Sequence, residues 1–431
     1  VDTILYALLA APVMANALYR LKIEYATIAA ALIATVSSIL IYPRLPIVGE
    51  FYVDRLTWYF VISVCAIYLT AALYSKKYFI GTPTKFGLPI YYILLNFFAA
   101  SMLFTLVTDN LGLMWVGLEA TTVSSVLLVL VEGSDAAIEA AWRYVMVVST
   151  GVTFAFISVI LVYYSLHTLN INTGATRNPV LALAVSIALV GFGTKVGVFP
   201  VNTWLPDAHS EAPPPISAMF SGVLLPVALY VLYRVYLLDP LTQVFTWVAT
   251  LSIVVAAIMM ASQTNFKRLF AYSTVENINL ALLGFALNQP LGAVILVIAH
   301  AFGKSAAFYS SGLTYKLTGS KNIGDYGLWR AKYLPYSLIL SSLCVTGAPP
   351  LATFVGEFLI LSSLLKYSLT EFTLVVASLG LAFVSTNYHV SRMVFRGAGE
   401  LKVEDDLMGW ISTASALIPL ILGVLLIWWF L

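Results

Sequence analysis

Val180-Leu181-Ala182-Leu183-Ala184-Val185-Ser186-Ile187-Ala188-Leu189-Val190-Gly191-Phe192-Gly193-Thr194-Lys195-Val196-Gly197-Val198-Phe199-Pro200 begins as an unbroken apolar run and ends on glycines, a lysine and a proline. A helix that crosses a bilayer needs about 20 mostly apolar residues, roughly 17–25, and this run is that long. A transmembrane β-strand would alternate apolar and polar residues over about ten positions, and nothing alternates here. The run predicts a spanning helix with two oddities. Lys195 is a charge where lipid would be, and Gly191, Gly193, Gly197 and Pro200 interrupt the helix.

Working outward, runs of the same kind recur at 4–18, 23–42, 58–74, 89–107, 111–131, 141–166, 180–200, 213–237, 244–262, 274–288, 291–314, 335–365, 371–391 and 410–431. The 431 residues are 61% hydrophobic and 10% charged, with a mean hydropathy of +0.93. Soluble domains carry about 25% charged residues, so this chain has too few charges to cover a water-facing surface. The expected fold is an all-α polytopic membrane protein of about fourteen spans, forming a single membrane domain over 1–431. The first run has no basic segment before it and no clear cleavage site, so it reads as a span rather than a signal peptide. A net charge of +2 does not suggest a nucleic-acid partner. Cys65 and Cys344 both lie in apolar runs, which excludes a disulfide scaffold, a Cys-ligated cluster and a Cys-based zinc site. No cofactor is expected.

Lys and Arg mark the cytoplasmic loops of membrane proteins. Fifteen of the 22 fall in odd-numbered loops, Lys402 among them, and five in even-numbered ones; Lys195 and Lys304 lie inside runs. The odd loops therefore read as cytoplasmic and both termini as outside, with no amphipathic extension after the last run. The expected setting is the plasma membrane of a prokaryote.

A charged side chain at the bilayer centre costs at least about 2.5–3.5 kcal/mol. Five ionisable residues nevertheless sit well inside runs: Glu119, Lys195, His300, Lys304 and Glu357. The plain explanation is a set of structural ion pairs that orient helices. The alternative is a path for protons. His300 and Lys304 are four apart and so share one helix face, and an imidazole beside a buried amine makes two proton sites. Glu119 stands among Gly117, Thr121 and Thr122, small residues that let another helix approach.

The run 335–365 is interrupted like 180–200, at Gly347, Pro349, Pro350 and Gly356, with Glu357 directly after. Proline removes a backbone donor and clashes one turn back. Freed backbone groups are tolerated at membrane depth only where buried in protein or lining a wet cavity. Two broken, charge-bearing helices five spans apart predict two inverted repeats, helices 4–8 over 89–237 and helices 9–13 over 244–391. Helices 1–3 would occupy 1–88 and helix 14 residues 410–431. The charge precedes the break in one copy and follows it in the other. Between 203 and 215 the chain reads as a polar cytoplasmic loop, where Asp207, His209 and Glu211 alternate. Metal ligation is one reading of that spacing, but prolines and three acid–base groups better suit a rigid loop at a proton entrance. Asn265-Phe266-Lys267-Arg268 reads as a second such loop, a positive anchor with Glu276 following at a helix start and able to pair with it.

Four stretches resemble the antiporter-like membrane subunits shared by respiratory complex I, Mrp cation/proton antiporters and membrane-bound [NiFe]-hydrogenases. They are Met114-Trp115-Val116-Gly117-Leu118-Glu119-Ala120-Thr121-Thr122, Lys195 through Trp204-Leu205-Pro206-Asp207-Ala208-His209, Lys267-Arg268-Leu269-Phe270-Ala271-Tyr272-Ser273, and Phe354-Val355-Gly356-Glu357-Phe358. Glu119-Ala120-Thr121-Thr122, Ser273-Thr274-Val275-Glu276-Asn277 and Gly347-Ala348-Pro349-Pro350 are similar to the hydrogenase-type, formate-hydrogenlyase-like branch. The resemblance implies a charge pair of Glu119 and Lys195 in a first half-channel, His300 and Lys304 on a central hydrophilic axis, and Glu357 on the exit side. It also implies partners: other membrane subunits and, through them, a peripheral redox arm. Two departures stand out. Pro226 follows Leu224-Leu225 where complex I subunits usually carry a lysine, leaving Ser217 or Ser221 or a water chain to bridge. Asn202 replaces a frequent histidine.

What the resemblance implies is a proton-translocating subunit of a redox-driven complex, with no catalytic site of its own. A push from a neighbour would open the Glu119–Lys195 pair and send a proton toward His300, Lys304 and Glu357. Moving one charge against 100 mV takes about 2.3 kcal/mol, and a change of two pKa units supplies about 2.7 kcal/mol. The rivals are an Mrp-type Na⁺/H⁺ antiporter subunit, which would use the same carboxylates, and a structural subunit without transport, for which Pro226 argues.

Overall fold

The structure is a computed structural model that describes residues 2–396, 401 and 407–430; Val1, Lys402 and Leu431, which belong to the expectations above, lie outside the described residues. Apart from one short hairpin, pairing Ile47–Val48 with Tyr52–Val53, the regular structure is helical. In chain order the helices are α1 (Asp2–Ala15), α2 (Ile23–Ile41), α3 (Arg55–Tyr78), α4 (Leu88–Val107), α5 (Leu111–Val129), α6 (Asp135–Leu166), α7 (Pro179–Val196), α8 (Leu205–Glu211), α9 (Pro214–Met219), α10 (Leu225–Tyr236), α11 (Thr242–Ala261), α12 (Phe266–Ala286), α13 (Pro290–Thr318), α14 (Leu334–Val345), α15 (Ala352–Tyr367), α16 (Leu369–Phe395) and α17 (Leu407–Phe430). A π-helical turn, Phe220–Leu224, joins α9 to α10.

Among the described residues, eleven helices are long and apolar enough to cross a membrane, and the chain is a multi-pass membrane protein. The other three expected runs differ for identifiable reasons. Run 4–18 corresponds to the 14-residue α1. Run 274–288 overlaps α12, where Glu276, Asn277 and Asn279 lower the hydropathy. Run 335–365 is divided between the short α14 and α15.

Two stretches expected as loops are helical. The segment 203–215 contains α8, and Asn265–Arg268 is the start of α12, because the Asn265 side chain accepts hydrogen bonds from the Lys267 and Arg268 backbone N–H groups. That cap satisfies donors every helix start leaves open. Glu276 consequently sits in mid-helix, more than two turns from Lys267, and does not pair with it.

The chain forms two compact units: residues up to Trp204 with Glu211–Met219 and Val223–Leu241, and Leu205–Ser210 with Phe220–Gly222 and the chain from Thr242 onward. In the first, α6 packs along α7, α4 along α5 and α1 along α2. Side-chain caps start its helices: Asp54 for α3, Asn110 for α5, Ser134 for α6 and Asn178, followed by Pro179, for α7. At Gly191 any larger residue would collide with the Ala155 backbone, so this glycine sets the closeness of α6 and α7. Trp204 is fully buried, stacks on Tyr144 at 4.6 Å and donates to the Thr194 carbonyl (2.9 Å). In the second unit α13 packs against α12, α14, α15 and α17. From Leu269 to Ala286 every residue of α12 is buried.

Candidate functional site

In the first unit Lys195 occupies the last turn of α7 and is 1% exposed. Its Nζ donates to the Leu118 carbonyl (2.7 Å) and to Thr121 Oγ1 on α5. Residues 118 and 121 lie three apart on one face of α5, whereas Glu119 is turned about 100° away. The Glu119 carboxylate is half-buried and acts electrostatically on Lys195, but the two form no ion pair. The expected partners are therefore neighbours, with Lys195 seated on a carbonyl and a hydroxyl. Helix α7 stops just beyond, where Gly197 takes φ +89° and returns its N–H to the Gly193 carbonyl (2.9 Å).

In the second unit His300 and Lys304 share a face of α13, each no more than 1% exposed. His300 Nε2 lies 2.8 Å from the Ser221 carbonyl oxygen, and Lys304 Nζ donates to the Phe270 carbonyl (3.1 Å). A hydrogen-bonded string joins these two contacts. Ser221 Oγ is 2.6 Å from Thr274 Oγ1, which donates to the same Phe270 carbonyl (2.9 Å). Glu276 is buried in the middle of α12, and its charge acts on both Lys304 and Glu357. Glu357 is buried in the second turn of α15, facing Gly347 at the break. Three buried atoms here, His300 Nδ1, Glu276 Oε2 and Glu357 Oε1, have no hydrogen-bond partner among the described residues. Buried polar atoms are nearly always paired, so these three are exceptions within one unit.

At the end of this unit α8 is pinned by polar contacts. Arg268 forms an ion pair with Asp207, Lys321 Nζ donates to the Ser210 carbonyl (3.1 Å), and Asn265 Nδ2 donates to Ser210 Oγ (3.3 Å). His209 is fully buried against Phe220 and Phe308, and its Nδ1 donates to the Leu205 carbonyl (2.9 Å). Burial, reinforced by the charges of Lys304 and Lys267, pushes its pKa down to about 3. Lys267 is buried and Glu211 partly so. On helix α8 Asp207 and Glu211 share one face while His209 points to the opposite side, and among the described residues no three His, Cys, Asp or Glu are arranged to hold a metal ion.

Sequence reading missed the acceptors. The carbonyls of Leu118, Phe270 and Ser221 hold Lys195, Lys304 and His300, and a carbonyl carries no residue signature. It also misplaced Glu276, whose mid-helix position was detectable from the Asn265 cap.

Residues 108–384 match the family described as NADH:quinone oxidoreductase/Mrp antiporter, TM, and the chain belongs to that family. It is 30% identical over 357 residues to the hydrogenase-4 component F homolog of Methylacidiphilum infernorum, covering 76% of this chain and 75% of that one. Its fold is shared with a chain of the membrane-bound sulfane sulfur reductase, an archaeal respiratory membrane complex (TM-score 0.90, 20% identity, 98% of this chain and 94% of that one). It is shared equally with a chain of the Mrp complex from Dietzia sp. DQ12-45-1b (TM-score 0.89, 18% identity, 98% and 95%).

Proposed function

We propose that this chain is the proton-translocating, antiporter-like membrane subunit of a redox-driven complex, and that Glu119, Lys195, His300, Lys304 and Glu357, joined by Glu276, carry the protons. One observation carries the reading. The ion pairs Asp54–Arg234 and Asp207–Arg268 lie at helix ends and Glu139–Arg143 on an exposed face of α6, whereas these six groups, five of them buried and Glu119 half-buried, have no ion pair among them. Structural charges in a membrane are kept because they pair. Unpaired ones, seated on carbonyls and hydroxyls with empty acceptor atoms beside them, suit a proton that comes and goes. The reading places Glu119 and Lys195 at the start and Glu357 at the exit. Asp207, His209, Glu211 and Lys267 are proposed to couple at the cytoplasmic end, through the anchored α8.

Fourteen spans in two inverted repeats, with both termini outside, belong to the same proposal. Matching local features support it. Asn110 caps α5 and bridges Asn170, as Asn265 caps α12 and bridges Asn322. Gly197 and Gly347 both take positive φ three residues before Pro200 and Pro350.

The test is proton uptake by vesicles holding the assembled complex. Glu119→Gln is expected to abolish uptake while leaving partner subunits bound. Undiminished uptake overturns the role, and uptake that requires sodium but no electron donor moves the chain to the Mrp-type reading.

A further inference from the structure

Pro226, the residue standing where a lysine was expected, has a definite structural effect. A π turn passes the backbone bonding register from the fourth residue back to the fifth. Five residues before Pro226 is Ser221, inside the π turn Phe220–Leu224. Proline has no N–H to give, so the Ser221 carbonyl has no intrahelical donor at that register. A carbonyl oxygen only accepts hydrogen bonds, and the group that reaches it is His300 Nε2, at 2.8 Å. The approach is close: a Cβ at Gly222 would lie 3.1 Å from both the Ala301 carbonyl and Ser305 Oγ on α13. Ser221 is held from the other side as well, through its hydroxyl on Thr274.

We infer that Pro226 is a positioning residue for His300: by leaving the Ser221 carbonyl open it fixes the ring with its proton on Nε2, so that buried Nδ1 is the one atom at which His300 takes up and releases a proton. The step balances on a single atom. Nδ1 accepts a proton to give the imidazolium, and the same N–H bond breaks when the proton leaves. The Ser221 carbonyl is not a proton acceptor, so nothing crosses the ring, and His300 works as a stop on the path rather than a through-conductor. Nδ1 is buried and has no hydrogen-bond partner among the described residues, as an atom reserved for a transient proton requires. Ser221 and Thr274 then link the histidine to the Phe270 carbonyl that seats Lys304, which sets the two basic groups in fixed relation.

This inference rests on the proposed proton path, and the experiment separates the two. The chain has four histidines, so nitrogen-15 histidine labelling of the assembled complex in membranes resolves them, with His300→Gln assigning the signal. The wild type is expected to show His300 protonated at Nε2 and bare at Nδ1. Pro226→Ala restores an N–H that competes for the Ser221 carbonyl, and the ratio of Nε2–H to Nδ1–H forms is expected to fall about fivefold, the worth of one net hydrogen bond. Ser221→Ala keeps the carbonyl and is expected to leave the ratio unchanged. A wild-type ring protonated at Nδ1, or a ratio unmoved in Pro226→Ala, overturns the inference. Unchanged proton uptake in His300→Gln overturns the path itself, while the tautomer result stands or falls separately.

Discussion

Lys195 in the first unit and Lys304 in the second are the same residue type at the same degree of burial, and both seat their ammonium on a main-chain carbonyl. Their acidic neighbours differ. Beside Lys195 stands one half-buried carboxylate, Glu119, while the Lys304 region holds two buried ones, Glu276 and Glu357. The first arrangement leaves its acid near an accessible face, where a proton or a neighbouring charge can reach it. The second encloses its acids with unpaired oxygens, where charge can be held but is costly to leave unbalanced.

The sharpest way to break this comparison is to remove either amine. Lys304→Met and Lys195→Met are each expected to lower proton uptake by about 100-fold or more, the range seen when a proton-transferring group is lost. If only one of them does so, in vesicle assays of assembled complex, the two sites are not stations on one path. Glu276→Gln is expected to lower uptake about tenfold, close to the worth of one charge-assisted interaction. Uptake equal to wild type would remove Glu276 from the second site and leave Glu357 as its only acid.

The two breaks offer a finer contrast. Gly197→Ala and Gly347→Ala each force a side chain into the left-handed region, which costs about 1–2 kcal/mol, and both variants are expected to melt earlier. Only Gly347→Ala is expected to cut uptake as well, because its Cβ would overlap the Glu357 carboxylate. Equal effects of the two on uptake would mean that the breaks act as hinges and not as seats for a charge.

The smallest effect separates the units by pH. Burial works against the Asp54 carboxylate, but Arg234 (2.5 Å) and hydrogen bonds from Thr57 hold it below the usual carboxylate range. Its contribution to stability is complete above the unfolded value near ~3.9 and is lost as pH falls through the lower folded one. His209 is held neutral, with a pKa of about 3 in the fold. Its unfolded form takes up a proton below roughly 6.5, so stability falls from there downward. Thermal unfolding between pH 7.5 and 5 is expected to lose part of its slope in His209→Gln and keep all of it in Asp54→Asn, which is expected to flatten the slope only below pH 4. A slope untouched by His209→Gln would show that the ring is not held neutral.

Much of this was readable from composition and spacing. Run length and continuity were enough to place helices, since lipid offers no other partner for backbone groups. Charges inside apolar runs marked Lys195, His300, Lys304 and Glu357, and the four-residue spacing put His300 and Lys304 on one face. Boundaries were less legible wherever a polar cap replaced hydropathy as the start signal. Asn265 began α12 two turns earlier than its apolar run, and so carried Glu276 from a helix start into the buried middle.

The sequence by itself determined that this chain crosses the membrane many times as helices, because apolar length is a local property that bilayer thickness selects directly. It also determined which residues would be out of place there. Only the tertiary structure decided what those residues rest on. Lys195 met a carbonyl and a threonine one helix face away from Glu119, and His300 met a carbonyl opened by a proline 74 positions earlier in the chain. Such contacts depend on helix rotation and close approach between distant segments, and main-chain acceptors look alike at every residue.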